Sequence, residues 1–318
     1  MRVVVTGGAG FIGANLVIRL LQEGYEPVVF DDFSSGLHSN VDGLGAEVIT
    51  GDVRDLDRLV AAVTGSDAVV HLAARGSVPR SIAFPLETHA TNATGTLNVM
   101  EAARRAEAQV IFSSSSSVYG ANQELPKNET MRTEPITPYA ASKLAGESYA
   151  RAYSESYGLK VTTFRFFNVF GPSQRPDHSY AAVIPRWIWH ALHGDDVVVF
   201  GDGLTTRDFT FVEDVVSVLL RTVEMKASHA APINLAYGAR ISLLDVIAHI
   251  EQFMQTQVAV IHEEPRQGDI QHSQNDPALL LSLFPDLSPT PFSAAFEATA
   301  DWLRSFGERV ANGPDVRD

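Results

Sequence analysis

Short apolar runs alternate with stretches whose apolar residues recur every three or four positions, and this alternation fills the first half of the chain. Val3, Val4 and Val5 read as a buried strand that stops in glycines, after which Phe11, Leu16, Leu20 and Leu21 mark one face of a helix. Val28, Val29 and Phe30 form a second strand ending at Asp31; Glu47–Thr50 and Ala68–Leu72 read as the third and fourth. A long helix is predicted over Leu86–Arg105, then a strand over Gln109–Phe112 that breaks into the serines Ser113 to Ser117. Thr137 and Pro138 supply an N-cap and a first-turn proline for a helix to about Tyr157, followed by a sixth strand, Lys160–Phe166. Strand and helix in strict alternation predict a doubly wound parallel α/β sheet covered by helices on both faces.

Beyond Asn168 the pattern loosens. Gly171-Pro172 and Arg175-Pro176-Asp177 mark loops, and helices are predicted over Ala182–Leu192, Phe211–Val223, Leu243–Phe253 and Phe292–Phe306. Val197–Phe200 and Ile233–Ala236 read as strands, and the tail from Glu308 is polar enough to fray. The expected division is a sheet domain over 1–170 to which about 211–255 returns. A smaller interleaved C-terminal domain covers 171–210 and 256–310, and 311–318 forms a frayed tail.

Composition narrows the function classes. The 318 residues carry a formal charge of −14, which argues against nucleic-acid or anionic-membrane partners and requires local arginines for any anionic substrate. Cysteine is absent, removing disulfides, thiolate catalysis and zinc–thiolate sites together. No apolar run approaches the ~20 residues of a membrane span, so a cytoplasmic protein is expected. His190 and His193 lie on one predicted helix face without a carboxylate or third histidine at ligand spacing, and no metal is expected. Trp187 and Trp189 are expected to pack rather than stack on a base.

Two motifs carry chemistry. Gly8, Gly10 and Gly13 satisfy G-x-G-x-x-G between a strand and a helix, and Gly7, Gly10 and Gly13 satisfy G-x-x-G-x-x-G in the same place. Glycines there permit the tight turn and let a pyrophosphate reach the helix N-terminus, so the motif predicts a dinucleotide site. Asp31 ends the next strand, where a carboxylate accepts from an adenosine ribose and repels a 2′-phosphate. The following Asp32-Phe33-Ser34 offers no arginine to hold such a phosphate, and NAD is preferred over NADP. Tyr139 and Lys143 stack four apart on one helix. A lysine ammonium and an oxidised nicotinamide are both expected to favour the phenolate, making Tyr139 a base near neutral pH, with Ser115 sharing the proton path.

Together these residues resemble a known family. Thr6-Gly-Gly-Ala-Gly-Phe-Ile-Gly13, His71-Leu-Ala-Ala74, Asn92, Val118-Tyr119-Gly120, Tyr139-x-x-x-Lys143 and Arg165-Phe-Phe-Asn-Val-Phe-Gly171 are similar to extended short-chain dehydrogenases of the NAD-dependent epimerase/dehydratase type. Gly201-Asp-Gly-x-x-x-Arg207-Asp-Phe209 and Arg266-x-Gly-Asp269 extend the match over nearly the whole chain, which is most similar to UDP-hexose 4-epimerases. The resemblance implies a Rossmann fold, a homodimer paired through its two long helices, and catalytic roles for Ser115, Tyr139 and Lys143. It implies that NAD is held by Gly7, Gly10, Phe11, Ile12, Gly13, Asp31, Asp32, Ser34, Ser35, Gly36, Asp52, Val53, Leu72, Ala73, Ala74, Asn92, Ser113, Tyr139, Lys143 and Phe166. A UDP-sugar is implied for Ser77, Ser115, Ser117, Asn168, Val183, Arg186, Phe200, Arg207, Arg266 and Asp269.

The resemblance also separates reactions. Dehydratases of this type carry Asp-Glu, and decarboxylases a Glu, just before Val-Tyr-Gly; here those places are Ser116 and Ser117. Members that epimerise at carbons 3 and 5 rely on a cysteine, which this chain lacks. The expected activity is 4-epimerisation of UDP-glucose or UDP-N-acetylglucosamine through a 4-keto intermediate. UDP-glucuronate is an alternative substrate because Arg186 could pair with a uronate. Ser273, at the family's size-gating position, leaves room for an N-acetyl group. A dehydratase or decarboxylase and a non-enzymatic NAD-binding scaffold are the disfavoured alternatives, and Arg75 and Phe167 have no assigned role.

Overall fold

A computed structural model of the protein describes residues 1–177, 181–226, 228–265 and 272–312. Arg266, Asp269 and Tyr180 therefore lie outside the described residues. The chain runs β1 (Arg2–Thr6), α1 (Phe11–Gln22), β2 (Glu26–Asp31), β3 (Glu47–Thr50), α2 (Leu56–Val63), β4 (Ala68–His71), α3 (Val78–Ala83), α4 (Pro85–His89), α5 (Gly95–Ala106), β5 (Gln109–Ser115) and α6 (Pro138–Tyr157). It continues through β6 (Val161–Phe166), β7 (Val169–Phe170), α7 (Val183–His193), β8 (Val197–Phe200), β9 (Thr206–Arg207), β10 (Thr210–Phe211), α8 (Val212–Met225), β11 (Ile233–Leu235), β12 (Ile241–Ser242), α9 (Leu243–Met254), β13 (Val260–Glu263), α10 (Ala278–Leu283) and α11 (Phe292–Asn312).

Seven strands form one parallel sheet in the order β11-β6-β5-β4-β1-β2-β3. β1 lies inside it with Thr6 opposite Phe30 on one side and His71 on the other. A strand with helices on both faces must be apolar on both, which is why Val3, Val4 and Val5 run without a polar break. Their side chains still alternate. Val3 and Val5 join the core under α1 and α8 with Leu16, Leu20 and Val215, whereas Val4 faces Leu59, Val63, Val99 and Met100 of α2 and α5. The sheet order reverses direction at β1 and β4, and the loops leaving their carboxyl ends flank the crevice in which such sheets bind ligands.

The doubly wound parallel sheet expected from the alternation is observed. The single helix expected over Leu86–Arg105 is not: α4 ends at His89, a π-helical turn covers Ala90–Thr94, and α5 begins at Gly95. Pro85 has no N–H to continue a preceding helix and starts a new one, and the widened turn that follows carries the buried Asn92. The serine run is also divided, since β5 extends through Ser115 and a 3₁₀ turn covers Ser116–Tyr119. The last helix, α11, continues past Phe306 to Asn312. Small pairings, β7 with β10, β9 with β12 and β8 with β13, frame the second half. No described helix is long and apolar enough to cross a membrane.

Candidate active site

A cleft of about 1210 Å³ opens at the carboxyl ends of the central strands. Every residue expected on the cofactor side lines it except Gly36 and Asn92. Gly36 packs on Ala9, where a Cβ would come within 2.8 Å of the alanine side chain. Asn92 sits behind the wall, accepting from the Arg75 N–H at 2.8 Å and donating to Ser142 at 3.0 Å. Ser77, Ser115, Ser117 and Asn168 line the same cleft. Val183, Arg186, Phe200 and Arg207 instead line a smaller pocket of about 290 Å³, to which Asn168 also contributes. Asn168 thus stands between the two spaces. Ser273 lines neither; its N–H donates to the Thr206 carbonyl.

The glycine turn fits a dinucleotide pyrophosphate. Gly7 has φ +73°, and a Cβ on Gly13 would fall 2.2 Å from the Gly7 carbonyl oxygen, so only glycine lets α1 start this close to the turn. The N-cap of α1, Gly10, has no side chain to satisfy the first helical N–H groups, which are left for an anion. Asp31 is buried at the end of β2, accepting from Ala9 N–H at 2.9 Å and Phe33 N–H at 2.8 Å. It lines the cleft, and burial raises its pKa against those two hydrogen bonds. Asp52 is held below the usual carboxylate range chiefly by hydrogen bonds from Arg54. Uncapped donors, a buried carboxylate at the ribose position and a cleft joining them are the features an NAD site needs.

Helix α6 places Tyr139 and Lys143 on the cleft wall: Thr137 caps it by accepting from the Ala140 N–H at 3.2 Å, and Pro138 opens its first turn. Lys143 is buried and donates from Nζ to the Ser113 carbonyl at 2.7 Å. Burial lowers its pKa to about 8. Burial also raises the pKa of the Tyr139 phenol, and a hydrogen bond with Ser115 acts in the opposite direction. Lys143 thus engages a backbone carbonyl, while at the phenol burial outweighs the Ser115 hydrogen bond. Ser115 Oγ accepts from the Ser117 N–H at 3.2 Å and the Ser117 hydroxyl at 2.9 Å, which leaves its own proton for the Tyr139 oxygen. His71, beneath this site, is lowered to about 3 by burial and then by Lys143, and bridges Thr6 and Thr96 as a neutral imidazole.

Sequence reasoning missed the group that holds the serine strand in place. Ser114 donates to Glu147 at 2.5 Å, and Glu147 accepts from Nε and Nη2 of Arg165 at 2.9 and 2.8 Å. Arg165 donates onward to the Tyr119 hydroxyl at 2.9 Å, and that hydroxyl reaches Asn234 at 2.8 Å. Phe167 packs with Val118, Tyr119 and Ala236 and also borders the cleft. Arg75, Arg80, Gln174 and Arg175 line the cleft as well. An arginine from elsewhere in the chain stands beside Asp32-Phe33-Ser34: the Arg75 Nη1 donates to Ser34 at 2.6 Å. It arrives from beyond β4, out of reach of a local reading. His190 and His193 lean on the carbonyls of Asp196 and Trp189, and Trp187 is buried in the core.

Comparison with known proteins agrees with this geometry. The model of the NAD dependent epimerase/dehydratase family matches residues 3–236. A UDP-glucose 4-epimerase of Mycolicibacterium smegmatis is 37% identical over 283 residues, which cover 87% of this chain and 90% of the relative. A UDP-N-acetyl-alpha-D-glucosaminuronate decarboxylase of Bacillus cytotoxicus is 34% identical over 269 residues, covering 82% and 83%. The solved structure of UDP-N-acetylglucosamine 4-epimerase from Methanobrevibacter ruminantium M1 in complex with UDP-N-acetylmuramic acid superposes with a TM-score of 0.91 at 35% identity, covering 96% of this chain and 98% of that one. These findings bear out the family, the parallel α/β fold and the NAD cofactor read from the sequence. By sequence, by fold and by the residues gathered in its cleft, the chain belongs to the NAD dependent epimerase/dehydratase family.

Proposed function

We propose that the protein is a UDP-hexose 4-epimerase. The observation that carries this reading is the placement of the carboxylates that line the cleft. Asp31 ends β2, and Asp32 and Asp52 follow β2 and β3, at the adenosine side, while the wall around Tyr139 offers Ser115, Ser116 and Ser117. Elimination of water or loss of carbon dioxide calls for additional acid–base groups at the reacting sugar. Inversion at carbon 4 does not: one phenol, positioned by one serine, serves both directions.

In this reading Gly7, Gly10 and Gly13 admit the NAD pyrophosphate, Asp31 holds the adenosine ribose and Lys143 the nicotinamide ribose. Bound NAD supplies a reversible hydride acceptor and a positive ring that favours ionisation of the buried phenol. Tyr139 removes the proton of the sugar 4-hydroxyl as carbon 4 is oxidised, and Ser115 stabilises the charge on oxygen. Asn168, Arg186 and Arg207 keep the nucleotide anchored from the smaller pocket while the 4-keto sugar turns. With the hydride restored to the other face of carbon 4, Tyr139 returns the proton to its oxygen, so atoms and oxidation state balance over the cycle.

The test is a substrate panel. The purified protein, without added NAD, is incubated separately with UDP-glucose, UDP-N-acetylglucosamine and UDP-glucuronate, and sugar identity is followed by NMR. Conversion of at least one to its 4-epimer is expected. Formation of an unsaturated, dehydrated or decarboxylated sugar instead would refute the proposal.

A further inference from the structure

The sheet order puts β1 between β2 and β4, so a side chain that joins the loops leaving β2 and β4 must pass across the carboxyl end of β1 and its glycine turn. At ~4.8 Å per strand step, that crossing is roughly 10 Å wide. Arg75 makes it. It leaves the loop after β4, and its Nη1 donates to Ser34 Oγ at 2.6 Å in the loop after β2. Nη2 stands 3.2 Å from Glu87 of α4 and 3.8 Å from Asp32. Glu87 also takes the Arg80 guanidinium at 3.3 Å, and Ser34 is tied to Asp32 by its own hydroxyl and N–H.

The guanidinium is fixed rather than loosely solvated. Its side chain is 12% exposed, and its backbone N–H is locked on Asn92 Oδ1 at 2.8 Å. Nε is buried with no hydrogen-bond partner. A rigid cation with an unspent donor thus joins the loops on either side of the glycine turn, in a cleft lined by the carboxylates Asp31, Asp32 and Asp52 and by the further cations Arg80, Lys143 and Arg175. We propose that Arg75 is a cofactor-retaining residue: it straps the 31–36 loop to the opposite wall across the glycine turn and thereby slows the release of bound NAD. A cofactor that is regenerated in every turnover gains from such retention, since a 4-epimerase never needs to exchange it.

The experiment measures NAD dissociation from the holoprotein by stopped-flow fluorescence, together with thermal unfolding of the NAD-free protein. Arg75→Ala is expected to speed release roughly tenfold, about the worth of one charge-assisted hydrogen bond. Ser34→Ala should act in the same direction, and the double variant should release no faster than Arg75→Ala, because the two residues share one contact. Release at the parent rate from both single variants, or a lowered melting temperature with unchanged release, overturns the proposal. Should Arg75→Ala fail to fold, Ser34→Ala decides alone: faster release supports the strap, and the parent rate refutes it.

Discussion

Tyr139→Phe is expected to lower turnover by about a thousandfold or more while NAD binds within a few-fold of the parent affinity. The substitution removes one oxygen and keeps the ring, so the wall of the cleft is preserved. What is lost is the group that, in the proposed mechanism, exchanges a proton with the sugar hydroxyl, a contribution typically worth ~10²–10⁴ in rate. The neighbourhood offers no replacement. Ser115 retains its two contacts from Ser117 but loses the partner for its own proton, and Lys143 stays on the Ser113 carbonyl. Conversion rates by NMR and an NAD titration of the same sample check both halves. Turnover near the parent rate would remove Tyr139 from the mechanism.

The second large effect falls on stability. Glu147→Ala leaves Arg165 inside the protein without its carboxylate; the two side chains are only 6% and 5% exposed and meet through paired hydrogen bonds. Burial by itself disfavours the charged guanidinium, and the Glu147 bonds and charge more than reverse this, so its pKa is raised in the folded protein. Breaking such a pair by removing one partner costs about 3–5 kcal/mol, or about 5 °C or more in melting temperature for a chain of this size. Glu147→Gln, which keeps the shape and one acceptor, should lose less. Calorimetric melting of the three proteins measures the order, and an Ala variant as stable as the parent contradicts it. Because Ser114 also hangs on Glu147, the Ala variant should displace the strand end that presents Ser115.

What the sequence conveyed, and what it did not, follows from the range of the interactions involved. The central strands were legible because a parallel strand covered on both faces has to be an unbroken apolar run, as Val3–Val5 and Val28–Phe30 are. Helix α6 was legible because Thr137 and Pro138 announce its start locally. The division at Ala90–Thr94 was not, since the π turn answers to the placement of Asn92 between Arg75 and Ser142, residues far away in the chain. The glycine turn and Asp31 were found because their spacing is fixed within one strand–helix–strand unit. Arg75 was missed for the opposite reason: it meets Ser34, 41 positions earlier, only because β4 and β2 both flank β1. The desolvation of Tyr139 was not legible, because pairing with Lys143 can be read from helical spacing, whereas burial depends on the whole surrounding structure.

The most direct test of the central claim follows the hydrogen at sugar carbon 4. The protein is incubated with a UDP-hexose that it accepts, deuterated at that position, and the products are examined by NMR and mass spectrometry. A 4-epimerase that returns the hydride to the carbon it came from leaves deuterium at carbon 4 in both epimers with no change in mass, and that is the predicted result. Deuterium moved to another carbon, or a product lighter by water or carbon dioxide, would show that the keto sugar meets a different fate and would contradict the assignment of a 4-epimerase.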